Sequence, residues 1–484
     1  MPRFKHYNYD QDAMVVINYQ EQLQPGTFEH AVHYLIEHKL DLTVFHPKYR
    51  NDDTGRLAYD PAILPSCHPA ILLKIILFAY SKGITSSREI QWCCETNIIF
   101  KALSCDTVPH FTTLAKFVSQ HADEIEELFE QILLVCHEQG LLGNELFAID
   151  GCKMSSNAAK EWSGTFKELG EKRDKLKRLI RHHLREHHER DEAETEAEAE
   201  LDWDILRANT ILSLDEAMTK VDRFLKTSSP RMCQGKRSKE VKSNITDNES
   251  GKMTTSKGTI QGYNGVATVD KKHQIIIDAQ AFGEGQEHHT LKPVLEPVQQ
   301  RYKKLGIADN IYQTGAVVTA DTGWKNTIAA SEFQFDPVKM TCICPSGQAL
   351  TYRGQREALN GKIRVHFEGR LLQCRHCPKK HECMQNPASA NHRNGSGRQV
   401  SFTVENKRAP NCTDWMKPRV DSQQGKAIYS YRMSVLEPVF GNIGSNKRLN
   451  RFSLRSKKKV QGQWQLYCLV HNVEKLANYG QLAA

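Results

Sequence analysis

Glu145-Leu-Phe-Ala-Ile-Asp150 is a short apolar run that ends in a carboxylate and is followed by Gly151. A run of this length closed by a glycine fits a buried strand that delivers Asp150 at its end. Downstream, Thr259–Val269 has strand periodicity, Asp270-Lys-Lys272 reads as a hairpin turn, and His273–Phe282 reads as the returning strand. Leu291–Lys304 has helical spacing, and Gly315-Ala-Val-Val-Thr-Ala-Asp321 is a second buried strand that ends in Asp. The order strand, hairpin, helix, strand predicts an α/β domain with a mixed sheet.

Upstream the period is that of helices. Residues 1–60 form an arm with one helix over Thr27–His38, where Phe28, Val32, Leu35 and Ile36 share a face. His68–Tyr80 is a buried helix stopped at Ser81-Lys-Gly83, where glycine can take the left-handed conformation. A second helix starts at Ser86 or Ser87, with Glu89 near a capping-box position, and Ala122–His137 is long and amphipathic. Short helices joined by tight turns over 61–138 resemble a helix-turn-helix bundle, which can place a helix in the major groove of DNA; the plainer alternative is a packing domain. Phe166, Leu169, Leu176 and Ile180, then Leu206, Ile211, Leu214, Ala217, Val221 and Leu225, mark a helical insert over 161–240. Its acidic segment Glu186–Asp202 reads as a solvated face.

The chain has 484 residues, 39% apolar and 25% charged, which is ordinary for a globular protein of several domains. The apolar run Ala70–Ala79 carries Lys74 and is far shorter than the roughly 20 residues of a bilayer span, so no membrane crossing is expected. Met1-Pro-Arg-Phe-Lys-His6 lacks the apolar segment of a secretory signal, so a cytoplasmic, nucleoid-associated protein is expected. Reduced thiols follow, and the 14 cysteines read as metal ligands where they cluster. The net charge of +8 is concentrated near the C-terminus, which suits a polyanionic partner. No Gly-x-Ser-x-Gly elbow or phosphate-cradling glycine loop is present, which weighs against acyl transfer and ATP hydrolysis.

Three features carry chemistry. Asp150 and Asp321 end strands, and Glu437 lies on a helix whose apolar face is Val435, Leu436, Val439 and Phe440. Carboxylates on rigid elements make an all-oxygen site for Mg²⁺, and two ions about 3.5–4 Å apart can activate a water and stabilise the leaving oxygen of a phosphodiester. Cys344, Cys374, Cys377 and Cys383 are the best four ligands for a structural Zn²⁺, with Cys342, His376 and His381 as competitors. Thiolates about 2.3 Å from the metal must converge from two turns, and the alternative is a set of free thiols. Lys447-Arg-Leu-Asn-Arg451-Phe-Ser-Leu-Arg455-Ser-Lys-Lys-Lys459 places Lys447, Arg448, Arg451, Arg455, Lys457, Lys458 and Lys459 within thirteen residues, a candidate surface for DNA phosphates.

Ala148-Ile-Asp-Gly-Cys-Lys153, Gly262-Tyr-Asn264, Thr319-Ala-Asp-Thr-Gly-Trp324, Tyr429-x-x-Arg432 before Glu437-Pro-Val-Phe-Gly441, and His471–Leu476 together resemble the DDE transposases of bacterial insertion sequences. The resemblance runs from about Pro61 to Leu476 and extends to His68-Pro-Ala, Tyr80-Ser-Lys-Gly83 and Pro109-His-Phe-Thr112 in the helical domain. It implies an RNase H-like core built from 139–160, 241–335 and 425–480, with a Cys-rich, zinc-type insert over 336–424. It also implies Mg²⁺ or Mn²⁺ held by Asp150, Asp321 and Glu437, with Tyr429 and Arg432 near the DNA backbone and the third acid. The implied reaction is cleavage at terminal inverted repeats and transfer of the 3′-hydroxyl ends to target DNA, by a homodimer that gathers two ends. Seven residues after Glu437, where the family usually has Lys or Arg, stands Gly444, and Lys447 or Arg448 is the expected substitute. Only 22 residues separate Asp321 from Cys344, short for the helix and fifth strand that usually follow. The rival expectation is a relative that has lost catalysis and acts only by binding DNA.

Overall fold

The structure, a computed structural model, describes residues 16–48, 68–191, 200–232, 240–256, 258–285, 291–309, 317–320, 327–357, 362–406 and 412–482. The chain divides into two compact units, Met1–Ala320 with Ser434–Ala484, and Asp321–Met433.

The first unit opens with helices α1 (Phe28–His38), α2 (Pro69–Ser81), α3 (Ser87–Thr96), α4 (Ile98–Ser104), α5 (Phe111–Gln120) and α6 (Ala122–Glu138). The His68 side chain accepts from the Ala70 N–H at the start of α2, and Gly83 (φ +72°) ends it in the left-handed region. Ser86 precedes α3 without making the expected side-chain cap. The short helix α4 had no signature in the periodicity and is capped by Asn97. α1 packs on α2 and α4, so it joins the helical domain where an arm was expected.

β1 (Leu146–Ser155) leads into the helical hairpin α7 (Phe166–Asp191) and α8 (Glu200–Thr227). Four two-residue strands, β2 (Ser163–Gly164), β3 (Arg231–Met232), β4 (Glu240–Val241) and β5 (Ser243–Asn244), pair as β2 with β5 and β3 with β4. β6 (Gly251–Thr255), β7 (Gly258–Asp270) and β8 (Ile276–Phe282) follow, then α9 (Leu291–Lys304) and β9 (Val317–Ala320). β1 runs antiparallel to β7 and parallel to β9, while β6 and β8 share the far edge of β7. The mixed sheet is thus as expected. Among the described residues no further strand joins it beyond β9.

One expectation is corrected. β1 does not stop at Asp150: β7 pairs with it from Phe147↔Asp270 to Ser155↔Gly262, so ladder hydrogen bonds carry the strand five residues further. Asp150 lies in mid-strand. The parallel partner β9 covers only Leu146–Ile149.

The C-terminal helix α14 (Lys457–Tyr479) is enclosed on almost every side, with Val460, Trp464, Leu466, Tyr467, Val470 and Leu476 all at 0% exposure. It packs on β8 and on α1, α2, α5 and α6, and Tyr467 stacks on Tyr80 with ring centroids 4.5 Å apart. Gly462 is required for this approach, because a Cβ there would lie 2.9 Å from Cα and Cβ of Ala122. Its polar side chains serve β8. Gln461 donates to the Ala279 carbonyl and accepts from the Ala281 N–H, both at 2.6 Å. Asn472 accepts from the Ile276 N–H at 2.8 Å and donates to its carbonyl at 2.7 Å.

A buried ion pair ties β8 and α9 to α6. Arg301 donates to Asp278 at 2.5 Å and to the Ile277 carbonyl at 3.2 Å, reaches Glu130 and Glu126 at 3.3 and 3.5 Å, and lies 5.6 Å from the Phe129 ring. Burial alone would lower its guanidinium pKa, but Asp278, Glu130 and Glu126 outweigh that and hold it above its ordinary value.

The second unit contains β10 (Gln334–Asp336), β11 (Thr341–Ile343), β12 (Ala349–Glu357) and β13 (Lys362–Glu368), the short helices α10 (Leu371–Arg375) and α11 (Lys380–Cys383), then β14 (Gln399–Asn406) and α12 (Cys412–Asp421). Its five strands form one antiparallel sheet in chain order. The insert expected to be held by zinc has an apolar core of its own, made by Phe333, Cys342, Leu350, Val365, Phe367 and Val400, with Phe335 stacked on Phe402 at 4.4 Å. α13 (Gln423–Gly441) starts in this unit and ends in the first.

Two predictions follow from the buried contacts. Asn472→Leu strands two backbone groups of Ile276 and lowers stability by about 2–4 kcal/mol, read from the urea midpoint. Arg301→Met leaves the Asp278 carboxylate uncompensated and costs about 3–5 kcal/mol, whereas Arg301→Met combined with Asp278→Leu recovers part of the loss in the same measurement.

Candidate active site

Asp150 is half-buried on β1, and its Oδ1 accepts from the Gly151 N–H at 2.9 Å. Cys152 follows on the same face. Burial, and then the charge of Asp150, pushes its thiol pKa up, so this cysteine is a neutral neighbour. Ile149 pairs with Ala320 across the parallel ladder, and these two residues precede Asp150 and Asp321 in the sequence. Asp321 itself lies outside the described residues.

Glu437 is exposed on α13, while Val435, Leu436 and Val439 are buried. The expected apolar face therefore seats the helix and leaves the carboxylate in solvent. Phe440, one turn on, stacks near Trp464 of α14 with centroids 6.4 Å apart. An open depression of roughly 450 Å³ is lined by Gly151, Cys152, Lys153, Thr254, Thr255, Ser256 and Phe440.

α13 runs into a π-helical turn, Asn442–Asn446, fixed by a polar cluster. Asn442 donates to Glu474 at 2.9 Å and to Nδ1 of His471 at 3.1 Å, and Nε2 of His471 donates to the Gln274 carbonyl at 2.9 Å. Burial pushes the His471 pKa down to about 3, so the ring is neutral with its proton on Nε2. Lys447 completes the cluster by donating to Glu474 at 2.5 Å. It is fully buried, and burial lowers its pKa despite Glu474. Lys447 was expected on a DNA-facing surface. The structure turns it inward, because an ion pair with Glu474 is the partner a buried ammonium needs.

The rest of the basic stretch is exposed. Arg448 takes a left-handed backbone (φ +56°) just past the turn. Arg451 donates to the Ser156 carbonyl at 3.2 Å and to Asn157 Oδ1 at 3.3 Å, and Arg455 donates to the Asn157 carbonyl at 2.9 Å. Both arginines thus sit where the chain leaves β1. Lys457 lies 5.5 Å from the Phe282 ring, Lys458 pairs with Asp123 at 2.6 Å, and Lys459 is exposed. In the second unit Arg432 is buried, with its guanidinium 5.2 Å from the Tyr429 ring.

Cys344, Cys374, Cys377 and Cys383 line one cavity of the second unit. The Gln348 N–H points at Cys344 Sγ (3.4 Å) and the Arg398 N–H at Cys374 Sγ (3.5 Å). Cys342 sits in the apolar core and is removed from the ligand candidates; His376 and His381 are exposed. Among the described residues no three His, Cys, Asp or Glu side chains stand close enough together to hold a metal ion. The four thiols share this cavity, and Cys383 is close enough to Cys344, Cys374 and Cys377 to feel their charge.

The His471 cluster had no signature in the sequence beyond the motif that contains it. A neutral His471 in the fold and a free imidazole in the unfolded chain bind protons differently between about pH 6.5 and 3. The unfolded chain takes up the proton first, so this contribution to stability is present above pH 6.5 and is lost as pH falls toward 3. His471→Gln should lower the urea midpoint at pH 7 and reduce the further loss between pH 7 and pH 4.5.

Two family models match the chain. The transposase domain (DUF772) matches residues 17–120, which take in α1 to α5, and the transposase DDE domain matches 343–477, from the end of β11 into α14. The second segment holds Tyr429, Arg432, Glu437 and the four cysteines, while Asp150 and Asp321 fall outside both. No curated protein and no solved structure matches. With a transposase domain at its N-terminus and a transposase DDE domain after it, the chain belongs to the DDE transposases of insertion sequences.

Proposed function

We propose that the protein cuts DNA at the element's terminal inverted repeats and joins the freed 3′-hydroxyl ends to target DNA, using an RNase H-like core with Asp150, Asp321 and Glu437 as its acids. The observation that carries this reading is the parallel pairing Ile149↔Ala320, since Asp150 and Asp321 are the residues that follow these two in the sequence. The sheet order β8, β7, β1, β9, with α9 between β8 and β9, agrees with such a core.

Oxygen-only donors suit a hard cation, and the exposed Glu437 and half-buried Asp150 fit Mg²⁺ or Mn²⁺ in this respect. When bound, the ions would supply an activated water and charge neutralisation at the scissile phosphate. The chain's own groups do the rest. The Gly151 N–H orients Asp150, and the packing of Phe440 on Trp464 with the Asn442–His471–Glu474 cluster fixes the end of the helix that carries Glu437. Lys153, Thr254, Thr255 and Ser256 offer a cation and hydroxyls to phosphate oxygens beside β1. Arg448, Arg451, Arg455, Lys457, Lys458 and Lys459 provide the exposed charge that tracks the DNA backbone, while Tyr429 and Arg432 lie on α13 ahead of Glu437. Two ends must be held at once, so the protein acts on the nucleoid as a homodimer.

Asp150→Asn and Glu437→Gln, both folded by circular dichroism, should each cut Mg²⁺-dependent nicking of element-end DNA by about 100-fold or more while retaining end binding. Undiminished nicking by either variant would remove that acid from the site. Binding without nicking by the unaltered protein would leave only the DNA-binding reading.

A further inference from the structure

We infer that the helical hairpin is a second DNA-backbone contact, made by Arg178, Arg181 and Arg185 on α7. This deepens the function proposed above and rests on it. Leu169 and Leu176 set the inner face of α7, where Leu169 packs with Val221 and Phe224 of α8. Arg178, Arg181 and Arg185 follow at i, i+3 and i+7 and stand on the opposite, solvent face.

Several basic neighbours on the hairpin do have partners. Lys172 lies 4.0 Å from the Trp162 ring, Arg173 pairs with Asp174 and Asp222 at 2.9 and 3.5 Å, and on α8 Lys220 and Lys226 pair with Glu216 and Asp222 at 3.4 and 2.6 Å. Among the described residues no carboxylate lies within ion-pair distance of the three outward arginines, and Arg178 Nε donates to the Asp174 carbonyl at 3.4 Å. Three exposed guanidinium groups of like charge thus stand in one row on the solvent face. Their spacing suits a polyanion. Seven helical residues advance about 10 Å, and a DNA strand carries a phosphate about every 3.4 Å of axis, so the row spans roughly three phosphates. Guanidinium forks bind phosphate oxygens bidentately.

The test uses the full-length protein and a mixed-sequence duplex of about 40 base pairs, with affinity measured between about 50 and 200 mM salt. Arg178→Gln/Arg181→Gln/Arg185→Gln should lower the slope of log K against log salt by about 2–3, at about 0.9 per phosphate contact, and Lys at all three positions should restore most of it. Lys220→Gln/Lys226→Gln, which removes positive charge already paired on the same hairpin, should leave the slope unchanged. A slope unaltered in the arginine variant, or lowered equally in the lysine control, overturns the inference. Absence of salt-dependent binding by the unaltered protein would instead overturn the proposed function, and this inference with it.

Discussion

Among the described residues no strand lies beside the outer edge of β8, and two side-chain amides of α14 take that strand's place. Gln461 and Asn472 each both donate to and accept from the β8 backbone. The two amides lie eleven steps apart along the helix, an advance of about 16 Å, and the five steps from Ile276 to Ala281 span a similar length. The match lets one straight helix satisfy both ends of the edge. An unpaired edge costs desolvated N–H and C=O groups and invites a strand from another chain, and the amides remove both liabilities. The price of a buried polar helix is offset by Trp464, whose indole N–H donates to the Val266 carbonyl at 3.1 Å while the ring fills the space over Gly265.

Because α14 is held at β8 and enclosed by α1, α2, α5 and α6, the transposase domain at the N-terminus and the sheet share one core. Arg301 reinforces this junction electrostatically, with Asp278 on β8 and Glu126 and Glu130 on α6. The position of Glu437 depends on the same helix. Phe440 rests near Trp464, and Asn442 and Lys447 bind Glu474, so the end of α13 is registered against α14 before any metal or DNA arrives.

The second unit reaches stability by a different route. Its strands follow one another by antiparallel connections, and Phe335, Phe367 and Phe402 form a tight aromatic cluster. The thiols of Cys344, Cys374, Cys377 and Cys383 lie at the margin of the apolar core, where N–H groups of Gln348 and Arg398 approach two of the sulfurs.

Local pattern determined much of this protein. The apolar periods of α1, α2, α6, α7 and α9, the hairpin at Asp270–Lys272 and the strand ending at Ala320 are properties of short segments, set by side-chain spacing and turn chemistry. The ordered motifs likewise carried the family. Tertiary structure decided what depends on neighbours far away in the chain. Asp150 falls in mid-strand because β7, more than 100 residues later, extends the ladder. Lys447 stood in a basic run that reads as surface, yet Glu474 draws it inside, and a count of charges cannot distinguish a buried ion pair from a solvated one. Four cysteines at plausible spacings meet in one cavity, but whether their sulfurs converge depends on backbone directions that spacing does not encode. Sequence therefore specified the elements and the chemistry available to them, and only the long-range packing around α14 decided which charges face solvent.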